Sequence, residues 1–148
     1  MGGLAAVVLA VLVIWGPRAV AADAAGMIKT VKGDVTVLRE SNELPAQVGM
    51  SLYSADSLRT GRDSSVGITL ADNTVLSAGP DSLLELEHFQ FDPRTREGAI
   101  EARLERGSLS AISGSIAKTS PEAVRFSTST ITLGVRGTRF ILEAGGSD

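Results

Sequence analysis

The chain has 148 residues, with 14 Lys and Arg against 17 Asp and Glu, a single His and no Cys. Its slight acidity, with both signs interspersed and no block of like charges, lacks the basic footprint that phosphate backbones require, so nucleic-acid binding is not expected. The missing thiols exclude disulfides, thiolate catalysis, Cys-ligated zinc and lipoprotein acylation.

Leu4 to Trp15 is an unbroken run of 12 apolar residues, stopped by Gly16-Pro17-Arg18 well short of the roughly 20 that a membrane-crossing helix needs. Ala19-Val20-Ala21 then supplies the small-x-small pattern of a signal-peptidase site. Residues 1–21 therefore read as a signal helix cleaved after Ala21, with 22–26 as a linker. Met1-Gly2-Gly3 lacks the Lys or Arg of an ordinary signal n-region, and the alternative is an uncleaved anchor formed by residues 4–15. Cleavage removes Arg18 and no acid, which moves the formal net charge from −3 to −4. The expected location is periplasmic or secreted, or the inner membrane if the leader is retained.

From Met27 onward the apolar segments are short, rich in Val, Ile, Leu and Thr, and bounded by Gly, Asp, Asn, Ser or Pro, which predicts strands joined by turns. Val35-Thr36-Val37 follows the turn Lys32-Gly33-Asp34. Val66, Ile68 and Leu70 share one face of a strand, and Ala71-Asp72-Asn73-Thr74 turns it into Val75-Leu76, because Asp and Asn tolerate left-handed backbone. Gly79-Pro80-Asp81 ends that segment. Leu84-Glu85-Leu86-Glu87 alternates, but Phe89 and Phe91 fall on the opposite parity, which predicts a bulge near His88.

The polar connector Asp92 to Gly98 leads into Ile100, Ala102 and Leu104, alternating with Glu101, Arg103 and Glu105, to make the longest hairpin. Leu109 to Ile112, Val124 to Phe126, Ile131 to Val135 and Phe140 to Leu142 are further strands, with a Ser, Gly and Lys connector from Ser113 to Thr119. Gly107, Gly134 and Gly137 stand where the chain must turn or bulge. The fold class is all-β: short strands in a solenoid-like roll, with a β-sandwich or barrel as alternatives.

Catalytic constellations are lacking. His88 is the single imidazole, which rules out a multi-histidine metal site, and no Ser sits in a G-x-S-x-G elbow. Glu85 and Glu87 share a strand face and could in principle serve acid–base chemistry, but cross-strand pairing with Glu101, Arg103 and Glu105 on a solvated face explains them better. Asp56, Asp63, Asp72 and Asp81 lie in turns without a calcium-loop pattern. No enzymatic activity, metal or cofactor is expected. Candidate interaction residues are Arg125, Arg136 and Arg139, as an anion or carboxylate group, and Tyr53 as an aromatic surface.

The order of the motifs resembles the FecR-domain family. Gly33-Asp34-Val35-Thr36-Val37 is similar to its opening strand. Gly49-Met50-Ser51-Leu52, Asp56-Ser57-Leu58-Arg59-Thr60-Gly61 and Leu70-Ala71-Asp72-Asn73-Thr74 are similar to its central region, and Leu104-Glu105-Arg106-Gly107-Ser108-Leu109 and Val135-Arg136-Gly137-Thr138-Arg139-Phe140 to its closing elements. The resemblance implies an extracytoplasmic β module over residues 27–142; the residues after it, 143–148, read as a polar tail. It also implies a non-enzymatic role through protein–protein interaction with an envelope protein, and signal relay within the cell envelope. Because three residues precede the leader, direct sigma-factor contact is not expected, and stand-alone members are the nearer comparison. Contact with a membrane is expected only if the leader is uncleaved. The alternative reading is a small-ligand or envelope-glycan binding module.

Overall fold

The computed structural model describes residues 2, 3, 16, 23–135 and 139–145. The apolar leader, the cleavage segment Ala19-Val20-Ala21, Arg136-Gly137-Thr138 and residues 146–148 lie outside the described residues. The strands are Gly26–Lys32 (β1), Val35–Arg39 (β2), Asn42–Pro45 (β3), Ser51–Leu52 (β4), Ser57–Thr60 (β5), Ser65–Leu70 (β6), Val75–Ala78 (β7), Leu83–Phe91 (β8), Gly98–Ile112 (β9), Val124–Ser127 (β10), Thr132–Gly134 (β11) and Arg139–Ala144 (β12). They form one curled sheet in the order β3-β2-β5-β8-β9-β7-β6-β1-β4, with β10 and β12 also on β9 and β11 on β10. The all-β expectation holds, and the architecture is a roll.

The roll has two halves that share β9. Its first part pairs with β8 and β10, and its second part with β7 and β12. The bend between them is at Gly107, whose φ of 94° is open to glycine without steric penalty. The sequence reading separated two strands there; the structure bends one. The links β1–β2, β5–β6 and β7–β8 cross between the halves along the same corner. Ladder pairing is interrupted at such a corner, so the backbone needs other partners. Gly61 N donates to Asp34 O at 2.9 Å, Asp81 N to Gly61 O at 3.1 Å and Gly79 N to Ser108 O at 3.1 Å.

Buried hydroxyls complete this seam. Thr60 Oγ1 donates to Gly79 O at 2.6 Å and accepts from Ser82 N at 2.9 Å. Ser82 Oγ accepts from Ser108 N at 3.0 Å, and Ser64 Oγ accepts from Asp34 N at 2.8 Å.

Strand alternation sends Ile28, Val37, Leu58, Ile68, Leu76, Leu84, Ile100, Leu104, Leu109 and Leu142 into the interior between the halves. Each such side chain contributes about 1.5–3 kcal/mol on burial. The mouth of the roll is closed by Phe126 on β10 and Phe140 on β12, whose rings meet edge to face at 5.0 Å. The bulge expected near His88 is present as a register shift between Leu86 and His88. Glu87 and His88 are both exposed there, and Phe89 and Phe91 turn to the inner parity.

Between β9 and β10 the expected connector contains a short helix, Ser115–Thr119 (α1), and a 3₁₀ turn, Pro121–Ala123. Five residues are too few to show helical periodicity in a sequence. This connection returns the chain so that β10 runs parallel to the start of β9, which is the crossover that a parallel pair requires. α1 is held by Asp72, which is fully buried. Its carboxylate accepts from Thr74 N at 3.1 Å, Thr74 Oγ1 at 2.8 Å and Ile116 N at 3.2 Å.

Candidate functional site

Tyr53 lies in the turn between β4 and β5, and the turn is built around Asp56. The Asp56 carboxylate, 4 % exposed, accepts from Arg39 Nε at 3.0 Å, Arg39 Nη2 at 2.8 Å and Tyr53 N at 2.9 Å. The hydrogen bond that Arg39 donates to Asp56 raises the Arg39 pKa above its ordinary value, against the opposing effect of desolvation. The guanidinium also stands 4.8 Å from the centroid of the Tyr53 ring, a cation–π distance. Ala55 takes a φ of 75° in this turn, a left-handed conformation that a non-glycine residue holds only where its surroundings fix it.

Ser54 ties this turn to β8. Its hydroxyl accepts from Phe89 N at 3.0 Å and donates to Phe89 O at 3.1 Å. Just beyond the bulge, this bridge brings Tyr53 beside Phe89 and Phe91. Together with Ser54, Gln90 and Pro93, and with Asp23 and Ala24 where the chain enters the fold, they line a groove of about 660 Å³. Phe89 and Phe91 are half-buried, whereas Phe126 is 1 % exposed. The sequence singled out Tyr53; its two Phe neighbours were missed, because they join it only through the contact between Ser54 and Phe89.

The candidate arginines are placed differently. Arg125 on β10 and Arg139 on β12 are exposed. Their neighbours Phe126 and Phe140 point at each other across the interior, so alternation directs the two arginines to the outer surfaces of opposite halves. The structure does not bring them together, and Arg136 lies outside the described residues. Tyr53 belongs to the separate groove.

The other polar candidates lie on the outer surface of the β8–β9 half. His88 pairs in register with Glu101, and Glu85 with Arg103; Arg103 Nε is 2.7 Å from Glu105 Oε1. Such exposed pairs contribute little, about 0–1 kcal/mol. Among the described residues no group of three or more potential metal ligands converges.

The two terminal strands of that half, β3 and β11, differ. β3 carries Asn42, Glu43 and Pro45. Among the described residues β11 pairs with β10 alone; it is exposed throughout and sits in the stretch Phe126 to Val135, which contains neither a charge nor a proline. Charge, proline and brevity are the usual devices that stop an edge from pairing; β11 has only brevity.

The motifs noted in the sequence have structural roles. Asp56 anchors the Tyr53 turn, Leu58 is core, Thr60 and Gly61 form the corner seam, Leu104 and Leu109 flank the Gly107 bend, and Phe140 closes the mouth. No curated protein and no solved structure gives a significant match to the chain. The family profile described as FecR protein matches residues 56–148, from the buried aspartate to the end of the sequence. With that match over more than half its length, the chain belongs to the FecR protein family.

Proposed function

We propose that this chain is an exported, non-enzymatic FecR domain that works in the cell envelope by protein–protein contact, relaying a signal through a strand that a partner adds to β11. The observation that carries this reading is the edge of β11, which neither charge nor proline blunts. Leu133 in the strand and Ile131 just before it are 37 % and 47 % exposed, while β3, at the other edge of the same half, carries an acid and a proline. Strand addition supplies affinity through main-chain hydrogen bonds and specificity through alternate side chains.

The test is photo-crosslinking in living cells from a benzoylphenylalanine placed at Thr132, with Glu87 as the control position. A discrete adduct with one envelope protein, present at Thr132, absent at Glu87 and lost on Leu133→Lys, supports the proposal. Equal labelling at both positions, or none, removes it. Export is checked by intact mass: a soluble species beginning near Ala22 supports it, whereas a full-length membrane species assigns residues 4–15 as an anchor.

The aromatic groove favours a second reading, a site for a small ligand or envelope glycan that stacks on Tyr53, Phe89 and Phe91. A melting temperature unmoved by envelope saccharides and anions would eliminate it.

A further inference from the structure

The free edges of the sheet are guarded unequally. β3 carries Glu43 and Pro45, β4 has two residues and β11 three. β1 runs on past β4, but that stretch bears Lys29 and Lys32 and is broken by a register shift between Ile28 and Thr30. Proline, brevity, charge of one sign and a bulge all keep a further strand from adding.

β12 has neither proline, bulge nor brevity. It is six residues long, its register on β9 runs unbroken from Arg139 to Ala144, and among the described residues it pairs with β9 alone. Its other side presents main-chain N–H and C=O groups without ladder partners along the whole strand. Phe140 and Leu142 face the interior, and Arg139, Ile141 and Glu143 face outward. At 70 %, Ile141 is the most exposed large apolar side chain among the described residues. Its flanking charges are of opposite sign, Arg139 before it and Glu143 after it, at equal spacing.

We propose that β12 pairs antiparallel with β12 of a second copy of this chain, about a two-fold axis at Ile141, joining the two curled sheets edge to edge. Directly opposite residues of antiparallel strands share a face, so a strand paired with its own copy centres on a residue and not on a peptide bond. Centred on Phe140, Arg139 would face Ile141; centred on Leu142, Glu143 would face Ile141. Centring on Ile141 sets Arg139 against Glu143, twice by symmetry. Phe140 then meets Leu142 on the inner side, and Ile141 meets its own counterpart on the outer side.

Every position from Arg139 to Glu143 is thereby matched in charge or apolarity by the same strand reversed, which is the self-complementarity that an isologous contact requires. A neutral strand would leave both charges unpaired, and a strand carrying one sign would be repelled at one of them, so the charges that guard this edge against other partners favour its own copy. One β12 per chain closes the assembly at a dimer. The pairing does not use β11, so its failure leaves strand addition there standing.

Opposed Cα atoms of an antiparallel pair lie about 4.5–5.5 Å apart, within the roughly 4.4–6.8 Å that a disulfide spans. The chain has no cysteine, so a single introduced thiol reports cleanly. The full chain carrying Ile141→Cys is expected to oxidise to a covalent dimer, whereas Ile112→Cys, exposed on the neighbouring β9, is not. In the Ile141→Cys background, Arg139→Glu makes both charge pairs repulsive and is expected to slow disulfide capture by roughly tenfold; adding Glu143→Arg is expected to restore it. Sedimentation of the chain without cysteine is expected to show a dimer that Ile141→Lys converts to monomer. Absence of a dimer from Ile141→Cys, an equal yield from Ile112→Cys, or failure of the charge exchange to restore capture would overturn the proposal.

Discussion

Arg39 grips Asp56 through two parallel bonds, Nε to Oδ1 at 3.0 Å and Nη2 to Oδ2 at 2.8 Å, yet the two side chains are unequally desolvated, at 32 % and 4 % exposure. Removing the arginine leaves a buried carboxylate without its counter-ion, whereas removing the aspartate releases a cation that water can reach. Arg39→Ala is therefore expected to destabilise the fold by about 3–5 kcal/mol, and Asp56→Ala by a smaller amount, about 2–3 kcal/mol. Urea unfolding of both variants checks the order. Equal losses would show that the asymmetry of burial has no energetic consequence.

The same pair predicts a pH response. Asp56 raises the folded-state pKa of Arg39, so the linked stability is fully present below the ordinary arginine range and is lost only as pH rises through the still higher folded value. Wild-type stability is expected to show no loss from this pair at any ordinary alkaline pH. Arg39→Lys replaces the fork with a single ammonium of ordinary pKa about 10.4. Its remaining contribution is present below that value and fades as pH rises through the folded lysine pKa. A stability profile from neutral to strongly alkaline pH should diverge between the two proteins near that range, and parallel profiles would exclude an ionic contribution from residue 39.

Two glycines with similar backbone angles separate conformational strain from close packing. Gly107 has φ 94° and Gly49 φ 90°, but a Cβ on Gly107 would run into Ser82, whereas around Gly49 there is open space. Gly49→Ala is expected to cost about 1 kcal/mol from the left-handed backbone alone. Gly107→Ala should add the steric penalty at the corner seam and reach about 3 kcal/mol or more. Denaturation midpoints of the two variants measure the difference. Near-equal values would mean that the corner relaxes freely around Ser82.

Local signals in the chain account for much of this structure. The hairpin at Ala71 to Thr74 follows from residues that accept left-handed angles, and Asn73 has φ 71°. The bulge at Glu87 and His88 follows from the change of parity between Leu86 and Phe89. Pairing at long range left no such trace. Tyr53 joins Phe89 and Phe91 only through the Ser54 hydroxyl, 35 residues from its partner. Nor did any trace mark the pairing of β7 and β12 on either side of the second part of β9, an order that differs from the order of the chain. α1 was unreadable for a different reason: its placement rests on one buried side chain, Ile116, and on a carboxylate more than forty residues away.

That carboxylate gives the most local prediction. Asp72 Oδ1 receives Thr74 N, and Oδ2 receives both Thr74 Oγ1 and Ile116 N; the Thr74 hydroxyl in turn accepts from Gly114 N at 3.2 Å. Every group facing the carboxylate is a donor, so in either orientation an amide would set its NH2 against one backbone N–H, that of Thr74 or that of Ile116. Asp72→Asn is expected to cost about 1–3 kcal/mol, the penalty for a buried donor left unpaired, and Asp72→Ala more, because several donors are orphaned at once. The loss should be local, since α1 packs on the roll chiefly through Ile116. Amide exchange at Ile116 and proteolytic cutting between Ser113 and Thr119 should both accelerate while the amides of β6 and β7 stay protected. Uniform acceleration across the sheet would show instead that α1 and the roll unfold as one cooperative unit, making Asp72 a support of the whole fold rather than the clasp of its crossover.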